Sequence, residues 1–167
     1  MTRTQTTQTS EASQQAAGAA VRAWTRLLRA HASTTRLLGA ELLEEHGLTI
    51  NDYEALLVLS HAQGRRLKRV DLSRQLLLTP SGITRLLEGL QQTGLVERQA
   101  CPSDLRITYA RLTDAGAQRL EAASCAHTRS VHALFEEHLS QTEINQLADT
   151  LDKLPGVTGT NSPCTPD

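Results

Sequence analysis

Ser81, Gly82, Thr84 and Arg85 lie close together in TPSGITRLLEGLQQTGLVER, residues 79–98, and their types suit recognition rather than bond-making. Two hydroxyls, a residue without a side chain and one guanidinium form a surface that another macromolecule can approach closely. Such an arginine can donate two hydrogen bonds to guanine, and the hydroxyls can reach a base edge or a phosphate. Arg98, Asp104 and Arg106 follow on a segment that reads as a hairpin. An arginine near a hairpin tip, as Arg106 is, suits the negative potential of a DNA minor groove. Asp104 can hold that guanidinium through a charge-assisted bond, or serve as a plain turn former.

The elements that must position these groups can be read from the same stretch. Thr79 suits a helix N-cap and Pro80 the first helical position, while Ile83, Leu86, Leu87 and Leu90 are spaced i, i+3, i+4, i+7 and must face a core. A short helix over about 70–77, with Leu72 and Leu76 inside, precedes it across a tight turn. That is the arrangement by which a recognition helix enters the major groove. An ordinary amphipathic helix would explain the leucines equally well, so the neighbouring segments decide. After Gly94, LVER and ITYARLT read as two strands around a turn at Pro102, Ser103 and Asp104, a wing with Thr108, Ala110 and Leu112 on one face.

The chain has 167 residues, 39% of them hydrophobic and only 2% aromatic, which predicts one mainly α unit with a sizeable core. The formal net charge of −1 conceals a polarity along the chain. Residues 62–112 carry nine Lys or Arg against four acids, a balance of +5, and the remainder carries −6. A basic middle between acidic flanks is what a nucleic-acid-binding region inside a larger protein looks like.

Residues 1–16 are Thr, Gln and Ser with little to bury and are expected to be disordered, as is the tail over 155–167. Val21, Trp24, Leu28, Leu38 and Leu42 mark a long first helix, which Gly47 can stop. Thr49 with Asp52 resembles a capping box opening a second helix with a stripe of Tyr53, Leu56, Leu57 and Ser60. A helix from Thr113 to about Leu139 and a last one, opened by Ser140 and Glu143 and carrying Ile144, Leu147, Leu151 and Leu154, complete the chain.

No apolar run suits a signal peptide or a membrane span, which predicts a cytoplasmic location. Cys101, Cys125 and Cys164 match neither a disulfide framework nor a zinc spacing and read as thiols, with Cys125 expected to be packed. His127, His132 and His138 are not spaced to share one helical face for a metal. His132 with Glu136 reads as a helix-surface contact rather than a ligand pair. No nucleophile elbow, phosphate loop or paired-carboxylate motif is present, so neither an enzyme nor a cofactor is expected.

The stretch RVDLSRQLLLTPSGITRLLEGLQQTGLVERQACPSDLRITYARLTDAG, residues 69–116, resembles the multiple-antibiotic-resistance regulator (MarR) family of bacterial winged-helix transcription factors. TRLLEGLQQTGLVER, the Asp104-Leu105-Arg106 element and LTDAG carry the resemblance most specifically. It implies a winged helix-turn-helix over 49–112 with a recognition helix at 79–93 and a β-hairpin wing at 97–111. It also implies an obligate homodimer, and regulation by a small ligand or by cysteine oxidation. Val70 stands where such proteins often cap the third helix with Ser or Thr.

Dimerisation has a physical basis of its own. The helices of 17–48 and 113–154 are apolar on one face and lie outside the DNA-binding region, so two intertwined chains would bury those faces. A two-fold dimer would read an approximate inverted repeat in double-stranded DNA. By the resemblance, a ligand pocket lies between the dimerisation region and the winged helix. Trp24, His31 and Glu54 are its candidates through stacking, a switchable proton and a carboxylate, though each is also explicable as packing. Cys101, on the wing near Arg98 and Arg106, is a candidate redox sensor or simply a small residue beside a turn. The expected function is a homodimeric repressor, released by ligand or oxidant. The alternative is a winged-helix interaction scaffold that has lost DNA binding.

Overall fold

Gly47 ends the first helix, α1 (Thr4–His46), by taking a left-handed conformation at φ +64. Its N–H donates to the carbonyl of Leu43, and that of Leu48 to the carbonyl of Leu42, so the last turn is satisfied as the chain reverses. The structure, a computed structural model, describes the backbone of residues 4–101 and 104–155 and the side chains of residues 18–100 and 108–155. The helix is described from Thr4, inside the segment 1–16 expected to be disordered, while residues 1–3 lie outside the described residues. Extending a formed helix needs no new nucleus, and the Gln and Ala residues ahead of Gly18 are good helix formers. The tail beyond Pro155, expected to be disordered, lies outside the described residues.

The second helix, α2 (Ile50–His61), opens on a reciprocal capping box. Thr49 Oγ1 accepts from the Asp52 N–H at 3.2 Å, and the Asp52 carboxylate accepts from the Thr49 N–H at 2.9 Å. Its buried residues are Tyr53, Ala55, Leu56 and Leu59, while Ser60 turns its hydroxyl back onto the Leu57 carbonyl. After a 3-10 turn come β1 (Arg66–Lys68) and α3 (Arg69–Gln75), then α4 (Pro80–Gln92). The N-cap of α3 is Lys68, which makes no side-chain cap bond. Val70, read as the capping position, is inside the helix and exposed.

β2 (Val96–Cys101) and β3 (Asp104–Leu112) form the hairpin, and β1 adds to its other edge, so the sheet has three antiparallel strands in the order β1-β3-β2. The two-stranded wing is present as β2 and β3, and β1 is a third strand beyond it. Arg66 pairs with Arg111 and Lys68 with Tyr109, while Val96 pairs with Leu112 and Gln99 with Tyr109. Ala110 and Leu112 on one face of β3 are buried and Arg111 on the other is exposed, the alternation that a half-covered sheet requires.

The chain divides into two compact units, residues 1–124 and 125–167, with the boundary inside α5 (Asp114–His138). Every buried described side chain belongs to the first unit. Leu42, Leu48, Leu56, Leu59, Leu72, Ile83, Val96 and Leu112 are its largest fully covered residues, each worth roughly 1.5–3 kcal/mol of transfer free energy. The second unit contains the end of α5 and α6 (Gln141–Leu151), which starts on the Ser140–Glu143 capping box. None of its described side chains is buried, and Cys125, expected to be packed, is exposed. Among the described residues no helix is long and apolar enough to cross a membrane.

Candidate nucleic-acid interface

The N-terminus of α4 is held open towards solvent by Thr79. Its hydroxyl accepts from the Gly82 N–H at 3.1 Å and lies 3.2 Å from the Ser81 hydroxyl, while Pro80 fills a first-turn position that needs no donor. Ile83, Leu87 and Leu90 dock the helix on the core and Leu86 packs at its margin. The opposite face carries Ser81, Arg85 and Glu88, all exposed. Arg85 makes no hydrogen bond or ion pair among the described residues, so its five donors are available to a partner.

Gly82 and Thr84 serve the helix itself. A Cβ at Gly82 would stand 3.2 Å from the Thr79 hydroxyl and 3.8 Å from Leu78, so its missing side chain keeps the cap close. The Thr84 hydroxyl donates to the Pro80 carbonyl at 2.8 Å and accepts from Arg69 Nη1 at 3.4 Å.

Between α4 and the hairpin runs an open groove of about 530 Å³, lined by Lys68, Arg69, Thr84, Glu88, Arg98 and Thr108 among others. Arg98 Nη2 donates to the Thr108 hydroxyl at 3.3 Å. Other cations nearby are already engaged. Arg65 pairs with Asp114 at 3.3 Å, Arg74 with Asp71 at 3.5 Å and Arg111 with Glu97 at 2.7 Å. Arg66 lies 5.0 Å over the Tyr109 ring and donates to Gln99.

A MarR-family model matches residues 46–107, the span from the end of α1 to the hairpin. The chain is 31% identical over 110 residues to an HTH-type transcriptional regulator of Bacillus subtilis, YkoM, covering 66% of this chain and 70% of that protein. Among solved structures it resembles AbsC, a MarR family transcriptional regulator from Streptomyces coelicolor, with 31% identity, a TM-score of 0.65, and coverage of 76% of this chain and 88% of that one. The chain belongs to the MarR family. A second relative, Sco3205 from the same organism, was solved in complex with DNA. It has 26% identity and a TM-score of 0.71, with coverage of 77% of this chain and 81% of that one.

In this MarR-family chain the remaining candidates separate. The side chains of Cys101, Asp104 and Arg106 lie outside the described residues, although Cys101 and Asp104 pair across the end of the hairpin. Of the ligand candidates, His31 on α1 and Glu54 on α2 are in electrostatic reach of one another. Partial burial pushes the Glu54 carboxyl above its ordinary value of 4.5, and the charge of His31 pulls it back. Trp24 lies two turns earlier on α1 and is 60% exposed.

His132 and Glu136 approach at 3.7 Å as a solvent-exposed i, i+4 contact, and no cluster suited to a metal occurs among the described residues.

Lys68 and Arg69 are the groove residues that sequence reasoning missed. They sit in the basic run RRLKRV, which offers no period. Only pairing of Arg66–Lys68 with β3 brings them beside the hairpin.

Proposed function

We propose that this chain is a sequence-specific DNA-binding transcriptional regulator of the cytoplasm, working as a homodimeric repressor that a small ligand or an oxidant releases. The observation that carries the reading is α4. It is capped, docked by one face only, and turns Ser81 and Arg85, which has no partner among the described residues, outward beside a groove rich in cations. A helix so presented can enter a major groove and read base edges. Arg98, Asp104 and Arg106 of the wing then engage the adjoining minor groove and backbone.

A dimer is supported by apolar surface left uncovered in one chain. Val21, Trp24, Leu28, Leu37 and Leu43 of α1 are all exposed, as is Leu147 of α6. A second copy that covered them with residues 17–48 and 113–154 would remove this area from water and set two recognition helices about one DNA turn apart. The operator is accordingly an approximate inverted repeat. His31 and Glu54 are proposed to face the effector, with Trp24 available for stacking, and Cys101 is the proposed site for an oxidant.

A gel-shift titration against DNA from upstream of the protein's own gene, repeated across salt concentrations, tests the reading. A discrete complex on one site with a steep salt dependence supports it. Weak binding that is the same on every duplex would leave the chain a winged-helix interaction scaffold.

A further inference from the structure

We propose that a row of arginines on α1 and the acidic stretch over 130–152 are complementary surfaces through which one dimer of this chain docks on another. The inference rests on the DNA-binding homodimer reading above and concerns charged faces beside the apolar ones that the dimer covers. Residues 12–40 contain four arginines, Arg22, Arg26, Arg29 and Arg36, and no Asp or Glu. At about 100° per residue these four fall on one side of the helix, roughly a third of a turn from Val21, Trp24 and Leu28. Arg22, Arg29 and Arg36 are one heptad apart, so the row spans about 21 Å of a single helix. All four are exposed, and among the described residues none makes a hydrogen bond or an ion pair.

The matching charge stands at the other end of the chain. Residues 130–152 contain Glu136, Glu137, Glu143, Asp149 and Asp152, all exposed, and no Lys or Arg. Glu136 meets His132 and Glu143 caps α6, whereas Glu137, Asp149 and Asp152 have no side-chain partner among the described residues. Solvation alone is served by mixed signs, which pair at i, i+4 along one helix. Signs segregated onto separate helices repel within each and attract between them, and such charges select partners. Nucleic acid would also attract the arginines, but it leaves the acidic stretch without a role. Because the two surfaces differ, the contact is heterologous, and one copy can give its arginines to one neighbour and its carboxylates to another. Exposed ion pairs are individually weak and screened by salt, so association in free solution is slight. Two dimers side by side on one duplex are held at high effective concentration, where the same contact makes the filling of neighbouring sites cooperative.

The test uses the full chain in gel-shift titrations on duplexes that carry one copy, or two tandem copies, of its site from upstream of its own gene. At low salt the unaltered chain should fill the second site about tenfold more tightly than the first, and high salt should remove this advantage. Arg22→Glu, Arg29→Glu and Arg36→Glu together should abolish it. So should Glu137→Lys, Asp149→Lys and Asp152→Lys together. An equimolar mixture of these two proteins should restore it, because each reversed surface then meets an opposite one; failure of the mixture overturns the inference. Thermal melts and sedimentation at high salt confirm that each variant is a folded dimer. A variant that sediments as a monomer would place these charges inside the dimer seam and overturns the docking equally. The neutral set Arg22→Gln, Arg29→Gln and Arg36→Gln should keep the salt slope of the unaltered chain on the one-site duplex, and a flatter slope would assign the row to nucleic acid instead. Independent filling of the two sites by the unaltered dimer refutes the docking and leaves the DNA-binding homodimer standing. If the unaltered chain is a monomer or binds neither duplex, the reading on which the inference rests falls with it.

Discussion

Gly116, in the first turn of α5, lies directly against the backbone carbonyl of Leu95 at the head of β2, with no space between them for a side chain. A Cβ there would collide with that carbonyl and stand 2.7 Å from Leu112 Cδ1. Thr113 fastens the same junction. Its hydroxyl donates within reach of the Gly94 and Leu95 carbonyls, at 2.7 and 3.0 Å, and accepts from the Gly116 N–H at 3.0 Å. The LTDAG motif is therefore a joint between hairpin and helix, with a capping threonine and a glycine that permits contact. Gly116→Ala should lower stability by about 3 kcal/mol, because the neighbour is backbone and cannot swing aside. Thr113→Ala should cost about 1 kcal/mol. Thermal unfolding of the two variants checks both values, and an unchanged melt for Gly116→Ala would contradict the contact.

A second expectation concerns Leu77 and Gly94, which occupy equivalent places at the ends of α3 and α4. In each case the residue is left-handed, at φ +53 for Leu77 and φ +72 for Gly94. The following N–H also reaches back five residues, from Leu78 to Ser73 and from Leu95 to Leu90. Leucine is poorly suited to that conformation, and with 85% of its surface exposed it gains little packing in return. Leu77→Asn should raise stability by about 0.5–1 kcal/mol, since asparagine tolerates the left-handed region. Leu77→Val should lower it. Chemical denaturation midpoints of the pair distinguish strain from any hidden packing role.

These two junctions mark how far the fold could be read from the chain. The α4 helix was legible because Thr79, Pro80 and the i, i+3, i+4, i+7 leucines all specify the same start and the same face. Both capping boxes were legible for a similar reason, since each needs only two residues three apart. Strand β1 was not. Three residues, Arg66, Leu67 and Lys68, are too few to establish a period, and they form a strand because β3 offers them an edge.

The candidate site divides in the same way. Arg85 and Ser81 follow from helical geometry once Ile83 and Leu87 are known to face inward. The Thr84 hydroxyl donates to the Pro80 carbonyl one turn back in its own helix and accepts from Arg69, fifteen residues away, a contact that no local pattern shows. The groove is assembled from residues near 68, 84, 98 and 108, which only the tertiary fold brings together.

The start of α6 carries a pH dependence of determinate sign. Hydrogen bonds from the Ser140 hydroxyl and N–H hold the Glu143 carboxyl below its ordinary value of 4.5. A depressed folded-state value means that the unfolded chain binds the proton first, so the stabilisation is present above 4.5 and is lost as pH falls through the folded value. Amide hydrogen exchange over residues 141–151 should therefore accelerate on acidification relative to the intrinsic rate. Glu143→Gln should abolish that extra acceleration.

Glu54 should behave oppositely. Burial raises its value above 4.5 and His31 offsets part of the rise. The folded chain then holds the proton more tightly than the unfolded chain, and stability falls as pH climbs from 4.5 through the folded value. Glu54→Gln should flatten this part of the profile, leaving the variant's melting temperature closer to wild type at pH 4 than at pH 7. His31→Ala should steepen it, since the opposing charge is gone. A profile indifferent to both substitutions would remove the electrostatic link between α1 and α2.

Arg85 is the residue on which sequence preference should turn. It projects from the exposed face of α4 with no partner among the described residues, whereas Arg69 and Arg98 are held beside a groove by threonine hydroxyls. An arginine free to present two donors suits the paired acceptors of guanine, a contact that a phosphate-binding cation does not make. Arg85→Ala should therefore cost about 1–3 kcal/mol on the preferred duplex and much less on an unrelated one, with the loss traceable to one base pair per half-site. Selection of binding sites from a randomised duplex pool, by wild type and by Arg85→Ala, gives the readout. Relaxation at one symmetric pair of positions is the expected result. An unchanged preference with uniformly weaker binding would place Arg85 on the backbone and leave base reading to Ser81 and the wing.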